Sequence, residues 1–148
     1  MSERAKKTIA DGVGETSYGK SSSILTKPDT TRINLANGRT RFTPLRESGN
    51  PVSAGMQHVI DGHFNRPLSN SRSIFTISVE DLKGILQRKS VIASPISDLG
   101  NGQYKRVVDV GEIIGNTALK HGGKPTSWIE VITDVKGNII TTYPVPKP

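Results

Sequence analysis

Two of the three histidines in this 148-residue chain fall in one short run, MQHVIDGHFNRP (Met56 to Pro67), as His58 and His63. An imidazole titrates at about pH 6.5, just below neutral, and so gives and takes protons under ordinary conditions. Arginines follow at Arg66 and Arg72, and hydroxyl side chains recur late in the chain at Thr126, Thr141 and Tyr143. That set suits the cleavage of RNA without a metal. RNA brings its own nucleophile in the ribose 2′-hydroxyl, so a protein need add only a base, an acid, a cation for the phosphorane and hydrogen bonds that hold the nucleotides. On this chemistry His58 and His63 are the candidate acid and base, with the two roles unassigned between them. Arg72 or Lys124 is the phosphate clamp, and Thr126, Thr141 and Tyr143 supply the hydrogen bonds.

Other chemistries lack their residues. The chain has no cysteine, hence no disulfide, no thiolate nucleophile and no cysteine-based zinc site. A zinc-protease helix needs histidines at i and i+4 around a glutamate, which a pair separated by VIDG does not provide, so neither metal nor cofactor is expected. The run KHGGKPTS has the composition of a phosphate loop but leads into a strand rather than a helix. No G-x-S-x-G elbow is present, and nothing marks a glycosidase pair of carboxylates. Each candidate also has a plain structural reading: His63 as a satisfied, partly buried histidine, His58 as a surface one, and Tyr143 as a cover for the end of a sheet.

To meet, these residues need particular elements beneath them. After the turn-forming Gly49-Asn50-Pro51, the residues Val52, Met56, Val59, Ile60 and Phe64 recur at helical spacing, with Ser53 as the expected N-cap. In projection His63 falls between Val59 and Ile60 and faces the sheet, while His58 lies on roughly the opposite side. One site takes both only if Gly62 ends the helix. SVEDLKGILQRK predicts a second helix, capped by Ser78 with Asp81 three residues on, burying Val79, Leu82, Ile85 and Leu86. The remainder is strand-like: SVIASPIS, GQYKRVVDVGEIIG, TSWIEVITD and NIITTYPV, the last two forming a hairpin that turns around Asp134–Asn138. A two-residue period places Ile139, Thr141 and Tyr143 on one face of the last strand and Ile140 and Thr142 on the other. The expected class is α+β, with N-terminal helices packed on a twisted antiparallel β-sheet.

The core belongs mainly to the second part of the chain, since residues 1–50 hold 13 apolar residues and residues 51–148 hold 36. Residues 1–50 therefore read as a flexible or extended lead-in, in which INLANGRTRFTPL forms a short strand or drapes over the domain at 51–148. The net charge of +7 comes from nine basic against five acidic residues before position 51 and eleven against eight after it. A surface positive throughout favours a polyanionic partner or an acidic protein. The first residues lack the apolar core of a signal peptide, and no apolar run is long enough to span a membrane, so export would require carriage on something larger.

The succession QHVIDGHFN…SRSIF, a second helix, and PTSWIEVITDVKGNIITTYPVP resembles the C-terminal ribonuclease domains of bacterial polymorphic toxins. These include toxins of contact-dependent inhibition and Rhs systems, with the fold shared by barnase, EndoU, colicin nucleases and RelE. The resemblance covers residues 51–148 and rests on a His-bearing helix and a closing strand of the type Gly-x-Ile-x-Thr-x-Tyr-Pro, here Gly137, Ile139, Thr141, Tyr143 and Pro144. It implies a metal-independent endoribonuclease, cutting tRNA or another structured RNA, with His58 or His63, Arg72 (or Arg66), Thr141 and Tyr143 in the site. Thr126 joins them because such domains place a hydroxyl at the start of the penultimate strand. Implied with it are an acidic cognate immunity protein, a host activating factor in some cases, and delivery at the tip of a larger secreted or surface protein that acts in the target-cell cytoplasm. The alternative from another class is a non-catalytic basic module that binds RNA or protein, although three Phe, three Tyr and Trp128 are few for an open stacking platform.

Overall fold

The computed structural model describes residues 27–148, and the first half of the expected lead-in lies outside the described residues. Among the described residues, two antiparallel sheets and three α-helices make an α+β fold. In chain order the elements are α1 (Met56–His63), β1 (Ile74–Phe75), α2 (Val79–Leu86), α3 (Lys89–Ile92), β2 (Ser97–Gly100), β3 (Gln103–Asp109), β4 (Gly115–Asn116), a 3₁₀ turn (Leu119–His121), β5 (Pro125–Thr126), β6 (Trp128–Thr133) and β7 (Ile139–Val145). The main sheet runs β2-β3-β6-β7 and the small one β1-β4-β5.

One face of the main sheet is covered, and the other is open beyond the hairpin end, where Ile132 and Ile140 pack with Val52 and Ala54. Val108, Ile129, Val131 and Ile139 form a core with Met56 and Val59 of α1, Leu82, Ile85 and Leu86 of α2, and Val91 of α3. Residues of opposite parity, Lys105, Val107, Trp128, Glu130, Thr141, Tyr143 and Val145, are only half-buried. Burying each large aliphatic side chain of that core stabilises the fold by roughly 1.5–3 kcal/mol. The helices cover one face because their apolar stripes have only one sheet face to meet.

Several expected elements stand. Ser78 caps α2, its Oγ accepting from the Asp81 N–H at 3.0 Å. The β6–β7 hairpin turns at Asp134–Asn138, closed by Asp134 N–H to the Asn138 carbonyl (2.9 Å) and Gly137 N–H to the Asp134 carbonyl (3.0 Å). The Asp134 carboxylate accepts from the N–H groups of Lys136 and Asn138.

Others are displaced. The expected strand SVIASPIS is divided: Lys89–Ile92 is a helical turn that sends Val91 into the core, and only Ser97–Gly100 pairs as an edge strand. Ser53 does not cap α1. The helix starts three residues later, where Gly55 takes φ 103° and the N–H groups of Met56 and Gln57 donate to the carbonyls of Ala36 and Asn37. Backbone from the draped segment thus replaces a side-chain cap, satisfying donors that a helix start leaves unpaired. A Cβ on Gly55 would lie 2.5 Å from the Asn37 oxygen, so only glycine fits there.

Residues 27–50 run through bends, turns and isolated bridges, and position 50 is no boundary of packing. Ile33 is buried in the core, Asn34 bridges Asn138, and Gln87 donates to the Ile33 carbonyl. Few apolar residues are needed there because the segment is held by hydrogen bonds to the hairpin rather than by a stripe of its own.

A β-bulge on β7 decides which side chains share the open face. Near the turn Thr133 pairs with Ile139, but beyond it Ile132 pairs with Thr141 and Glu130 with Tyr143, leaving Ile140 as the extra residue. Ile139 therefore faces the core while Thr141 and Tyr143 face out, which corrects the single face expected for all three. A shift of one residue moves every later side chain to the other side of the sheet.

Candidate active site at the edge of the open sheet face

His63 is the last residue of α1, and the residues just after it fix its ring. The chain leaves the helix through Phe64, which stacks on Phe75 with ring centroids 5.0 Å apart and an interplanar angle of 22°. Both are buried. This contact draws the end of α1 to the strand entrance at Ser73, whose carbonyl lies 2.6 Å from His63 Nδ1. A carbonyl can only accept, so Nδ1 carries the proton and, in the neutral ring, Nε2 is left with a free lone pair. Burial lowers the His63 pKa more than the Ser73 bond raises it, and the charges of His58 and Arg72 push it down further. The ring is consequently neutral at pH 7 and able to accept a proton.

Tyr143 flanks it, with ring centroids 5.4 Å apart and planes inclined at 30°. The Tyr143 hydroxyl donates to Glu130 Oε2 at 2.5 Å. Burial, that bond and the Glu130 charge drive the phenol pKa far up, so Tyr143 keeps its proton throughout the physiological range. The pair depends on the bulge: without the extra Ile140 the hairpin register would set Thr142, not Tyr143, opposite Glu130. The Ile140 carbonyl accepts the Gly55 N–H at 3.0 Å. A single irregularity thereby aims Tyr143 and anchors the start of the helix that carries His63.

Of the residues singled out from the sequence, His63 and Tyr143 come together. Thr141 lies two residues from Tyr143 on the same open face, and Arg72 is near enough for its charge to bear on His63. His58 sits outside that pair, though its charge, like that of Arg72, bears on His63. Gly62 lies inside α1 rather than ending it, so His58 stays exposed on the outer side of the helix. Thr126 is buried, and its hydroxyl donates to the Val145 carbonyl (2.7 Å) while accepting from the Trp128 N–H (3.1 Å). It joins β5, β6 and the end of β7, which makes it a positioning residue and not a direct participant. Arg66 is exposed and donates to the Asp61 carbonyl.

Glu130 was not among the sequence candidates. Its signal was present: it is the lone carboxylate within the apolar strand WIEVIT, alternating with Trp128 on the face away from Ile129 and Val131. The basic rim is also clearer in three dimensions. The N–H groups of Leu119 and Lys120 donate to the carbonyls of Ser69 and Asn70, tying the 3₁₀ turn to the loop that ends at Arg72. Lys120 is thus held against the loop before Arg72, and Lys120, His121 and Lys124 are all exposed to solvent. Gly115 allows the small sheet to dock here, since a Cβ would meet the Ile74 oxygen at 2.3 Å and Pro144 Cγ at 2.8 Å.

The arrangement offers a neutral imidazole with a free lone pair, a phenol held in its protonated form, and cations alongside: the parts for proton transfer next to a bound anion. Among the described residues, no group of three or more His, Asp or Glu side chains could hold a metal ion, and no helix is long and apolar enough to cross a membrane. Comparison with protein-family models, curated proteins and solved structures returned no match.

Proposed function

We propose that this chain is a metal-independent endoribonuclease, a toxin domain of interbacterial competition that cuts tRNA or another structured RNA. The observation that carries the reading is His63, neutral and with Nε2 unengaged among the described residues, beside the Tyr143–Glu130 pair, with Arg72, whose charge bears on it, and the exposed Lys120 and Lys124 of the segment tied to the Arg72 loop as a basic rim. His63 Nε2 takes the proton of the ribose 2′-hydroxyl as its oxygen bonds to phosphorus. The bond from phosphorus to the 5′-oxygen then breaks, with Thr141 as hydrogen-bond donor to the charge that develops, Tyr143 and its bonded Glu130 as the wall beside the His63 ring, and solvent on the open face protonating the leaving oxygen. Arg72 offsets the phosphorane charge. The products are a 2′,3′-cyclic phosphate and a 5′-hydroxyl. Delivery as the tip of a larger protein and neutralisation by an acidic immunity protein that covers the basic rim complete the proposal.

The test is cleavage of total RNA and of tRNA by the purified protein in EDTA, with end-group analysis of the products. Replacing the ribose with deoxyribose at the mapped cut should abolish cleavage there. His63→Ala should reduce the rate by about 10²–10⁴-fold, the range for a general base. Cleavage that survives the deoxy substitution, or that requires added divalent metal, overturns the proposal. RNA binding without any product supports instead the reading as a non-catalytic basic module.

A further inference from the structure

We infer that Trp128 is the platform of a nucleobase subsite on the open sheet face, a step that rests on the ribonuclease reading. Trp128 is the only tryptophan in the chain. It is half-buried and lies on the same face as Glu130 and Tyr143. A strand rises about 3.3–3.4 Å per residue, so Trp128 stands roughly 6.7 Å from Glu130 along β6. A base attached next to a phosphate at His63 and Tyr143 is therefore within reach of the indole.

The neighbours of Trp128 define what it would take. Across the sheet it is paired with Val145 on one side and Asp109 on the other. Val145 gives an aliphatic wall. Asp109 is exposed, and its carboxylate already accepts from the Gly111 N–H at 2.9 Å, which fixes its direction. An indole beside a carboxylate offers stacking to any base, and a pair of acceptor oxygens that only guanine, through its adjacent N1–H and N2–H groups, can meet with two donors. The subsite thus favours guanine over adenine, cytosine and uracil, whose donors on that edge each lie beside an acceptor that faces the carboxylate. Position along the strand is secured by the Thr126 hydroxyl, which receives the Trp128 N–H.

Being the lone tryptophan, Trp128 reports on its own occupancy. In a His63→Ala background, where RNA stays intact, single-stranded tetranucleotides should quench Trp128 fluorescence, and those containing guanine should bind more tightly than oligouridine. Measured with labelled RNA, Trp128→Ala should weaken binding roughly tenfold, within the range for loss of one base stack, while Trp128→Phe should lose no more than about threefold. Asp109→Asn should erase the preference for guanine without changing overall affinity by a similar factor. Circular dichroism of each variant checks its fold, and the Phe and Asn variants decide the matter should the Ala variant unfold. RNA that is cleaved by the parent protein but neither quenches Trp128 nor binds more weakly to Trp128→Ala overturns the subsite and leaves the nuclease standing. Quenching by RNA that the parent protein never cleaves overturns the nuclease and supports the subsite as part of a binding surface.

Discussion

His63 and Glu130 carry the sharpest consequences at the scale of single residues. The folded-state pKa of His63 is lower than its ordinary value, so the unfolded chain binds that proton more tightly. Its contribution to stability is complete above about pH 6.5 and is lost as pH falls through the lowered value. The same titration removes the free Nε2 lone pair. We therefore expect kcat/KM to drop on the acid side with a midpoint below that of free histidine, and His63→Ala to shed both the acid limb and the rate. An acid limb unchanged in His63→Ala would show that another group titrates. Glu130 acts through Tyr143, whose hydroxyl it holds at 2.5 Å. Glu130→Gln removes the charge that helps to raise the phenol pKa, so the Tyr143 titration followed by ultraviolet absorbance should move to lower pH. The rate should fall on the order of tenfold through kcat, with KM little changed, as for loss of an orienting hydrogen bond. A phenol titration that does not move would detach Glu130 from this role. The sequence signalled His63 by residue type and spacing alone, whereas Glu130 required the hairpin register, which depends on a bulge at Ile140 that no residue of NIITTYPV announces.

At the scale of elements, the helix that presents His63 is held by its neighbours more than by its own sequence. α1 has eight residues and no side-chain cap, too few to be stable alone. Its first N–H groups are satisfied by Ala36 and Asn37, and Gly55 makes the approach possible. Gly55→Ala places a side chain at φ 103° and 2.5 Å from a carbonyl oxygen, which should cost roughly 2–4 kcal/mol. Thermal melting should show a midpoint lower by about 10 °C. A midpoint within a degree or two of the parent would mean that the segment carrying Asn37 moves aside without penalty. The same dependence on neighbours separates the elements that were legible from those that were not. Ser78 and Asp81 cap α2 through contacts three residues apart, and the Asp134–Asn138 turn closes on itself, so local sequence suffices for both. The start of α1 is set by residues about twenty positions earlier, and Ser53, a good cap by type, is passed over. Val91 and Ile92 read as strand because they are β-branched, yet the demand of the core for Val91 won over that propensity.

At the scale of the whole molecule, the charge of +7 is spread through the sequence, but the charge of Arg72 bears on His63, Arg66 lies three residues after it, and Lys120 and Lys124 are exposed on the segment tied to the Arg72 loop. If about three of them meet phosphates, the logarithm of RNA affinity should fall with the logarithm of salt at a slope near −2, about 0.7 per contact on single strands. Lys120→Gln or Lys124→Gln should each lessen that slope by one such step. A slope near zero would remove the rim from RNA binding. The second consequence concerns where the folding unit begins. Composition placed the change at position 50, because apolar residues become frequent only after it. Connectivity disagrees: a chain begun at residue 51 lacks Ile33 in the core, the Asn34–Asn138 bridge, the Ala36 and Asn37 carbonyls that receive the first N–H groups of α1, and the Thr30 carbonyl that receives a bond from the buried Arg106. Losing Ile33 alone removes roughly 1.5–3 kcal/mol of apolar burial, and each stranded donor adds about 1–3 kcal/mol. Together these approach the whole stability of a small domain, about 5–15 kcal/mol. A chain begun at residue 51 should therefore show no cooperative melt and no defined near-ultraviolet dichroism, whereas one begun at Lys27 keeps every contact named. Equal melting temperatures for the two would mean that residues 27–50 only rest on the surface, and the positioning of His63 would have to come from the sheet and the Phe64–Phe75 stack alone.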